Sequence, residues 1–234
     1  GRYRALGNTS AGWTALETVF QDAAKWMKMG KHDALYPMMY YKEHLFYPFV
    51  DDWIENGNNR ILVPGLGAYQ MIELGWSRQD IVNQIDYTRK KGTAGQAYFR
   101  ADNVLSNTKG ILNTISQYYR HPAKLPAMTW LSNEIPNAPL DLTAENVNGK
   151  LQLKWKTDDV KVRVTYNVYR SESDDFDVNK AENILAVGLR KPVFEYSAPI
   201  DEKAYYYFVT VSDSYHNESE ICHPAFFVHS QLVK

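Results

Sequence analysis

The chain has 234 residues, 44% hydrophobic and 14% aromatic, with 26 basic and 27 acidic side chains for a net charge of −1. Such length and apolar content suit one or two domains with a substantial core, and the charge balance excludes a nucleic-acid protein and a polybasic membrane binder. No apolar run approaches the ~18 to 20 residues of a membrane span. The lone cysteine, Cys222, excludes an internal disulfide framework and a multi-cysteine metal site.

In the first half, Trp13, Leu16, Val19, Phe20, Ala23, Ala24 and Met27 recur at three- and four-residue spacing. This predicts one amphipathic helix over residues 12–29, closed by Gly30. The nearly continuous apolar run from Ala34 to Tyr41 predicts a strand buried on both faces, with Pro37 an awkward member. Residues 60–64 predict a second buried strand running into Gly65-Leu66-Gly67. That glycine pair lacks the downstream glycine and helix start of a dinucleotide loop. Ser77 to Asp80 has the spacing of a capping box opening a helix through Ile81, Val82 and Ile85, which Gly92 ends. Residues 94–99 predict a third strand. Asp102 or Asn103 is expected to cap a third helix reaching Tyr118. Strand and helix alternating in this way imply β/α units and a parallel sheet.

After Pro136 the pattern changes. Leu151, Leu153 and Trp155 alternate with polar residues, as do Val162, Val164, Tyr166 and Val168, and Tyr205, Tyr207, Val209 and Val211 alternate with Tyr206, Phe208 and Thr210. With four further short runs, this is the arithmetic of an antiparallel sandwich.

Four motifs of the first half carry a resemblance: Asp33-Ala34-Leu35-Tyr36-Pro37-Met38-Met39-Tyr40-Tyr41, Val63-Pro64-Gly65-Leu66-Gly67-Ala68-Tyr69, Tyr98-Phe99-Arg100-Ala101 and Pro126-Ala127-Met128-Thr129-Trp130. In that order they resemble the family-10-like glycosyl hydrolases of bacteria. These are (β/α)8-barrel proteins, often secreted or lipid-anchored. The resemblance is to the C-terminal part of that family, its sixth to eighth strands. The family's Asp-Asp-Tyr signature at the fourth strand, where a catalytic carboxylate is expected, has no counterpart; Asp51-Asp52-Trp53 is the nearest string. The second half, through Leu151-Gln152-Leu153-Lys154-Trp155, Tyr166-Asn167-Val168-Tyr169 and residues 205–211, resembles a fibronectin type III module.

The resemblance implies an α/β plus all-β chain. About three β/α units of a partial (β/α)8 barrel, residues 1–134, precede an antiparallel immunoglobulin-like β-sandwich, residues 135–234. A barrel enzyme places its site at the C-terminal ends of its strands. That rule selects Tyr40, Tyr41, Lys42 and Glu43, then Tyr69 and Trp76, then Phe99, Arg100 and Asp102. Aromatic platforms with charged or amide neighbours suit the C–H faces and hydroxyls of a sugar. Glycoside hydrolysis needs two carboxylates. Glu43 is the first candidate and Asp102 the second, though a solvated loop glutamate is the simpler reading of Glu43. Arg100 either orients a substrate or closes an ion pair.

His32 beside Asp33 and Glu43 beside His44 do not have metal-ligand spacing. No cofactor and no metal are expected. The sequence thus points to part of an extracytoplasmic glycoside hydrolase, secreted, periplasmic or lipid-anchored. It is expected to be inactive alone, with a carbohydrate, the N-terminal barrel half of a parent chain, and a second copy meeting exposed barrel edges as its partners. The alternative is a non-catalytic surface module that binds carbohydrate or protein.

Overall fold

The computed structural model describes residues 2–3, 8–9, 15–158, 163–197 and 203–233. Trp13 and Val162 lie outside them. The chain forms two compact units, Gly1–Tyr118 and Tyr119–Lys234.

In the first unit a short pair, β1 (Arg2–Tyr3) and β2 (Asn8–Thr9), precedes α1 (Ala15–Val19) and α2 (Ala23–Lys28). The single helix expected over 12–29 is therefore divided. Phe20 adopts a left-handed φ of 57°, and Asp22 caps the second piece by accepting from the Lys25 amide. Then follow β3 (Ala34–Leu35), α3 (Tyr47–Asn56), β4 (Ile61–Leu62), β5 (Gly65–Leu66) and α4 (Gln70–Glu73). After them come α5 (Arg78–Lys90), β6 (Ala97–Tyr98), α6 (Ala101–Leu105) and α7 (Ile111–Tyr118).

The capping box of α5 is formed in both directions between Ser77 and Asp80. Gly92, at φ 74°, follows the helix end in the left-handed conformation glycine tolerates best. The expected helix from residue 102 to Tyr118 is broken where Asn107, Lys109 and Gly110 all take positive φ.

The partial (β/α)8 barrel is not formed among the described residues. Parallel pairing consists of two separate two-residue ladders, β3 with β4 and β5 with β6, plus one bridge from Met38 to Gly65. Pro37 and Pro64 lack the amide hydrogen a continuous ladder needs, so pairing breaks into short pieces. The run Ala34 to Tyr41 is not buried on both faces either: Tyr36 is 62% and Met38 67% exposed. What holds this unit together is a core of Phe46, Phe49, Val50, Leu66, Met71, Trp76, Ile81, Ile85 and Ile111, supplied mainly by helices.

The second unit is a two-sheet antiparallel sandwich. Its strands are β7 (Leu140–Val147), β8 (Lys150–Lys156), β9 (Thr165–Ser171), β10 (Ile184–Leu189), β11 (Val193–Tyr196), β12 (Ala204–Ser212) and β13 (Ala225–Val228). One sheet runs β10-β9-β12-β13 and the other β11-β8-β7. Period-two alternation places Leu151, Leu153, Trp155, Tyr166, Val168, Tyr207, Val209 and Val211 in one core. The alternate residues of β9 and β12 form a second face. There Tyr169 and Phe208 pack with Phe176 and Val178, and Asn167, Thr210 and Ser212 are buried beside them. The segment 123–132 belongs to this unit. Met128 donates its amide to the Tyr215 carbonyl at 2.8 Å, and Asn217 donates Nδ2 to the Ser132 carbonyl at 2.9 Å.

Candidate functional site

The ends of the parallel segments bring three aromatic rings together. Met39 and Gly65 are joined by a backbone hydrogen bond, as are Phe99 and Leu66, and Tyr69 donates its amide back to the Phe99 carbonyl at 2.9 Å. Tyr40 thereby stacks on Phe99, with centroids 5.4 Å apart and 14° between the planes. Tyr69 meets both rings edge-on, at 5.6 Å from Tyr40 and 5.4 Å from Phe99. Burial raises the Tyr40 phenol above its usual range, and Tyr69 adds to the effect.

The glycine pair serves this packing. A Cβ on Gly67 would lie 3.1 Å from Tyr40 Cβ and 3.2 Å from Gln70 Cγ, and one on Gly65 would lie 3.1 Å from the Pro37 carbonyl oxygen. The two glycines are the close-approach surface over which Tyr40 lies, which is a packing role and not a phosphate cradle.

Phe99 stays 45% exposed, so the cluster has a solvent face. Arg100 borders it. Its guanidinium lies 5.4 Å from the Tyr69 centroid and 5.6 Å from that of Phe99, and its Nη2 contacts Glu73 Oε1 at 3.0 Å. Buried Gln70 donates Nε2 to the Tyr69 hydroxyl at 2.9 Å, while its own Oε1 has no partner. The rim thus carries a cation, a carboxylate and a phenol around an apolar surface.

Lys42 and Trp76 form a separate group. Lys42 Nζ donates to Asp80 Oδ2 at 2.7 Å and lies 5.1 Å from the Trp76 ring centroid. Trp76 is 5% exposed and belongs to the core. Burial alone would push the Asp80 carboxyl up, but hydrogen bonds from Lys42 and Ser77 outweigh it and hold the group below the usual carboxylate range. Tyr41 contributes its backbone carbonyl to buried Gln84, at 2.7 Å.

The two carboxylates singled out for catalysis are not drawn into the aromatic cluster by any hydrogen bond. Glu43 opens a short 3-10 turn at φ 47° and is exposed. Its charge acts on Tyr47, whose phenol is raised by burial first and then by Glu43 and Asp80. Asp102 is exposed in the first turn of α6. Neither carboxylate has a hydrogen-bond or ion-pair partner among the described residues.

Sequence reasoning missed Glu73 as the partner of Arg100 and Asp80 as the partner of Lys42. It also missed a cluster in the second unit. Glu218 accepts there from Asn167 Nδ2 at 2.9 Å, from Thr210 Oγ1 at 2.5 Å, from the Tyr169 hydroxyl and from Lys124 Nζ at 2.7 Å. Burial would raise this carboxyl, and the four donors together hold it below its usual range. Glu73 lies one helical turn after Tyr69, and the Ser77–Asp80 spacing marks Asp80 as a cap, but neither spacing points to the distant cation that each carboxylate meets.

No family model matches the chain. It is 30% identical, over 234 aligned positions, to glycosyl hydrolase YngK of Bacillus subtilis (strain 168), a match that takes in 91% of this chain. The chain spans 44% of that relative's length. Among solved structures it is similar to an Fn3-like protein from Clostridium thermocellum, at 19% identity over 40% of this chain and 92% of that one, with a TM-score of 0.32. Pectate lyase PelI of Erwinia chrysanthemi, in complex with tetragalacturonic acid, matches at 19% identity over 38% of this chain and 28% of that one, also with a TM-score of 0.32. Structural scores this low carry no argument about function.

Proposed function

We propose that the chain serves a glycosidase-related role, and that its first unit supplies a carbohydrate contact and not a catalytic acid pair. The observation that carries this is the half-exposed ring cluster of Tyr40, Tyr69 and Phe99, rimmed by Arg100 and Glu73, in a chain similar to a bacterial glycosyl hydrolase. Sugar C–H faces stack on aromatic surfaces, and the rim supplies donors and acceptors for hydroxyls. A second observation favours binding without turnover. The acids beside the rings and beside Trp76, Glu73 and Asp80, are held by Arg100 and by Lys42 and Ser77, while Glu43 and Asp102 are exposed and no hydrogen bond draws either to the rings, so no carboxylate pair is assembled there. The resemblance to secreted and lipid-anchored bacterial proteins supports a place outside the cytoplasm.

Affinity electrophoresis of the purified chain through gels containing neutral or acidic polysaccharides, with chromatography of any released sugars, tests both parts. Retardation by at least one glycan without products is the expected outcome. Turnover abolished by Glu43→Gln would overturn the non-catalytic part, and the absence of retardation by every glycan would overturn the contact.

A further inference from the structure

The second unit holds a cavity of about 380 Å3 between the segment 123–127 and the sheet containing β9 and β10. Ala123, Leu125 and Ala127 line it on one side, and Thr165, Val187 and His216 are among the residues across from them. The size falls within the ~300–1,000 Å3 of small-molecule sites.

Its charges are already satisfied. Lys124 and Glu218 neutralise one another at 2.7 Å, and Asn167, Thr210 and Tyr169 saturate the rest of the carboxylate. An added charge would find no free counter-charge there, and burying it unpaired would be costly. The hydroxyl of Thr165 and the imidazole of His216 have no hydrogen-bond partner among the described residues. The cavity therefore offers apolar walls and two uncommitted polar heads beside an ion pair that compensates itself. That combination fits a neutral ring with C–H faces and a few hydroxyls.

We propose that this groove binds one neutral pyranose residue, as a second carbohydrate site independent of the Tyr40–Tyr69–Phe99 cluster. The ligand class rests on the glycan-handling reading above, whereas the location rests on the groove alone. The Glu218 cluster holds the groove open by fixing Lys124, and with it the covering segment, and is not itself a sugar contact.

Amide NMR of the full 234-residue chain, titrated with the methyl α- and β-glycosides of neutral hexoses, tests this. Saturable shifts are expected at Thr165, Gly188 and His216. Ala127→Trp, which fills the groove from an exposed position, should abolish them. Thr165→Val and His216→Ala should each weaken binding about two- to tenfold, the worth of one hydrogen bond. Unchanged Tyr207 and Val209 amides in each variant establish that the sandwich core is intact. Flat titrations at the three groove amides, or shifts that persist in Ala127→Trp, overturn the proposal. Shifts confined to Tyr69 and Phe99 overturn the groove while leaving the first-unit contact standing, and shifts confined to the groove support it while counting against that contact.

Discussion

Tyr40 and Phe99 stack face to face, although they sit on different segments of the first unit, because Gly65 and Gly67 leave the backbone bare beneath Tyr40. Both the proposed contact surface and its packing depend on this pair. Gly67 has no positive φ to defend, so Gly67→Ala is a purely steric test. Its new Cβ would press on the base of Tyr40 and on Gln70. Overpacking of this kind costs about 1–3 kcal/mol. A lowered urea midpoint together with a changed near-ultraviolet tyrosine signal is expected, and an unchanged midpoint would show that Tyr40 can retreat freely.

Asp80 performs two tasks with one carboxylate, closing the N-terminus of α5 and holding Lys42 over Trp76. Asp80→Ala should cost about 1–2 kcal/mol as a lost cap, seen in urea unfolding at neutral pH. The pH dependence has a fixed sign. Because the folded carboxyl titrates below its ordinary value of 3.8, its contribution is complete above that value and is lost as pH falls through the folded value. The variant should therefore lose less stability on acidification than the parent does. A parallel acid limb in both proteins would contradict the assignment.

Glu218 is the corresponding anchor of the second unit. Its side chain is only 20% exposed, and that of Lys124 22%. Glu218→Ala leaves Lys124, Asn167 and Tyr169 without their shared acceptor, and breaking a buried pair in this way costs about 3–5 kcal/mol. Hydrogen exchange at the Met128 amide, which is bonded to the Tyr215 carbonyl, reports release of the covering segment. Faster exchange there, with Val209 still protected, is the expected pattern. Acid should act in the same direction, since a depressed carboxyl gives up its stabilisation as pH falls through its folded value.

Tyrosine titration provides an alkaline counterpart. The hydrogen bond to Asp86, at 2.6 Å, is the main cause that pushes Tyr118 up to about 12, with burial adding to it. Burial leads for Tyr169 and Tyr207, which are raised as well. A phenol raised in the folded state stabilises fully below its ordinary value of 10 and ceases to do so as pH passes the folded value. Ultraviolet absorbance should show late ionisation of these groups, and Asp86→Asn should return Tyr118 towards ~10. Early ionisation of all tyrosines would contradict the packing described for them.

Local patterns were legible wherever neighbours in sequence are neighbours in space. The Ser77–Asp80 cap, the glycine end of α5 and the alternation along β8, β9 and β12 all follow from spacing. Helix continuity was not legible across Phe20 or across Asn107 and Lys109. Apolar periodicity continues through those positions while the backbone turns left-handed. Apolar content over residues 34–41 and 60–64 has the look of longer strands, but Pro37 and Pro64 lack the amide hydrogen that extended pairing needs, and the ladders stop at two residues. Pairings such as Lys42 with Asp80 and Lys124 with Glu218 have no local signal at all. The chemistry of each residue type was visible, and only the fold determines which charge meets which.

Isothermal titration of the best-retained soluble glycan into the parent chain, Phe99→Ala, Tyr69→Ala and the control Tyr87→Phe tests the central claim most directly. Phe99 and Tyr69 form the ring cluster, whereas Tyr87 lies against Tyr47 and Asp51 within the first unit. Loss of a stacking ring is worth about 0.5–1.5 kcal/mol or more in affinity, a few- to more than tenfold. Weaker binding by both ring variants, with the control unchanged, is the predicted result. Equal affinity in all four proteins would place the glycan elsewhere and contradict the account.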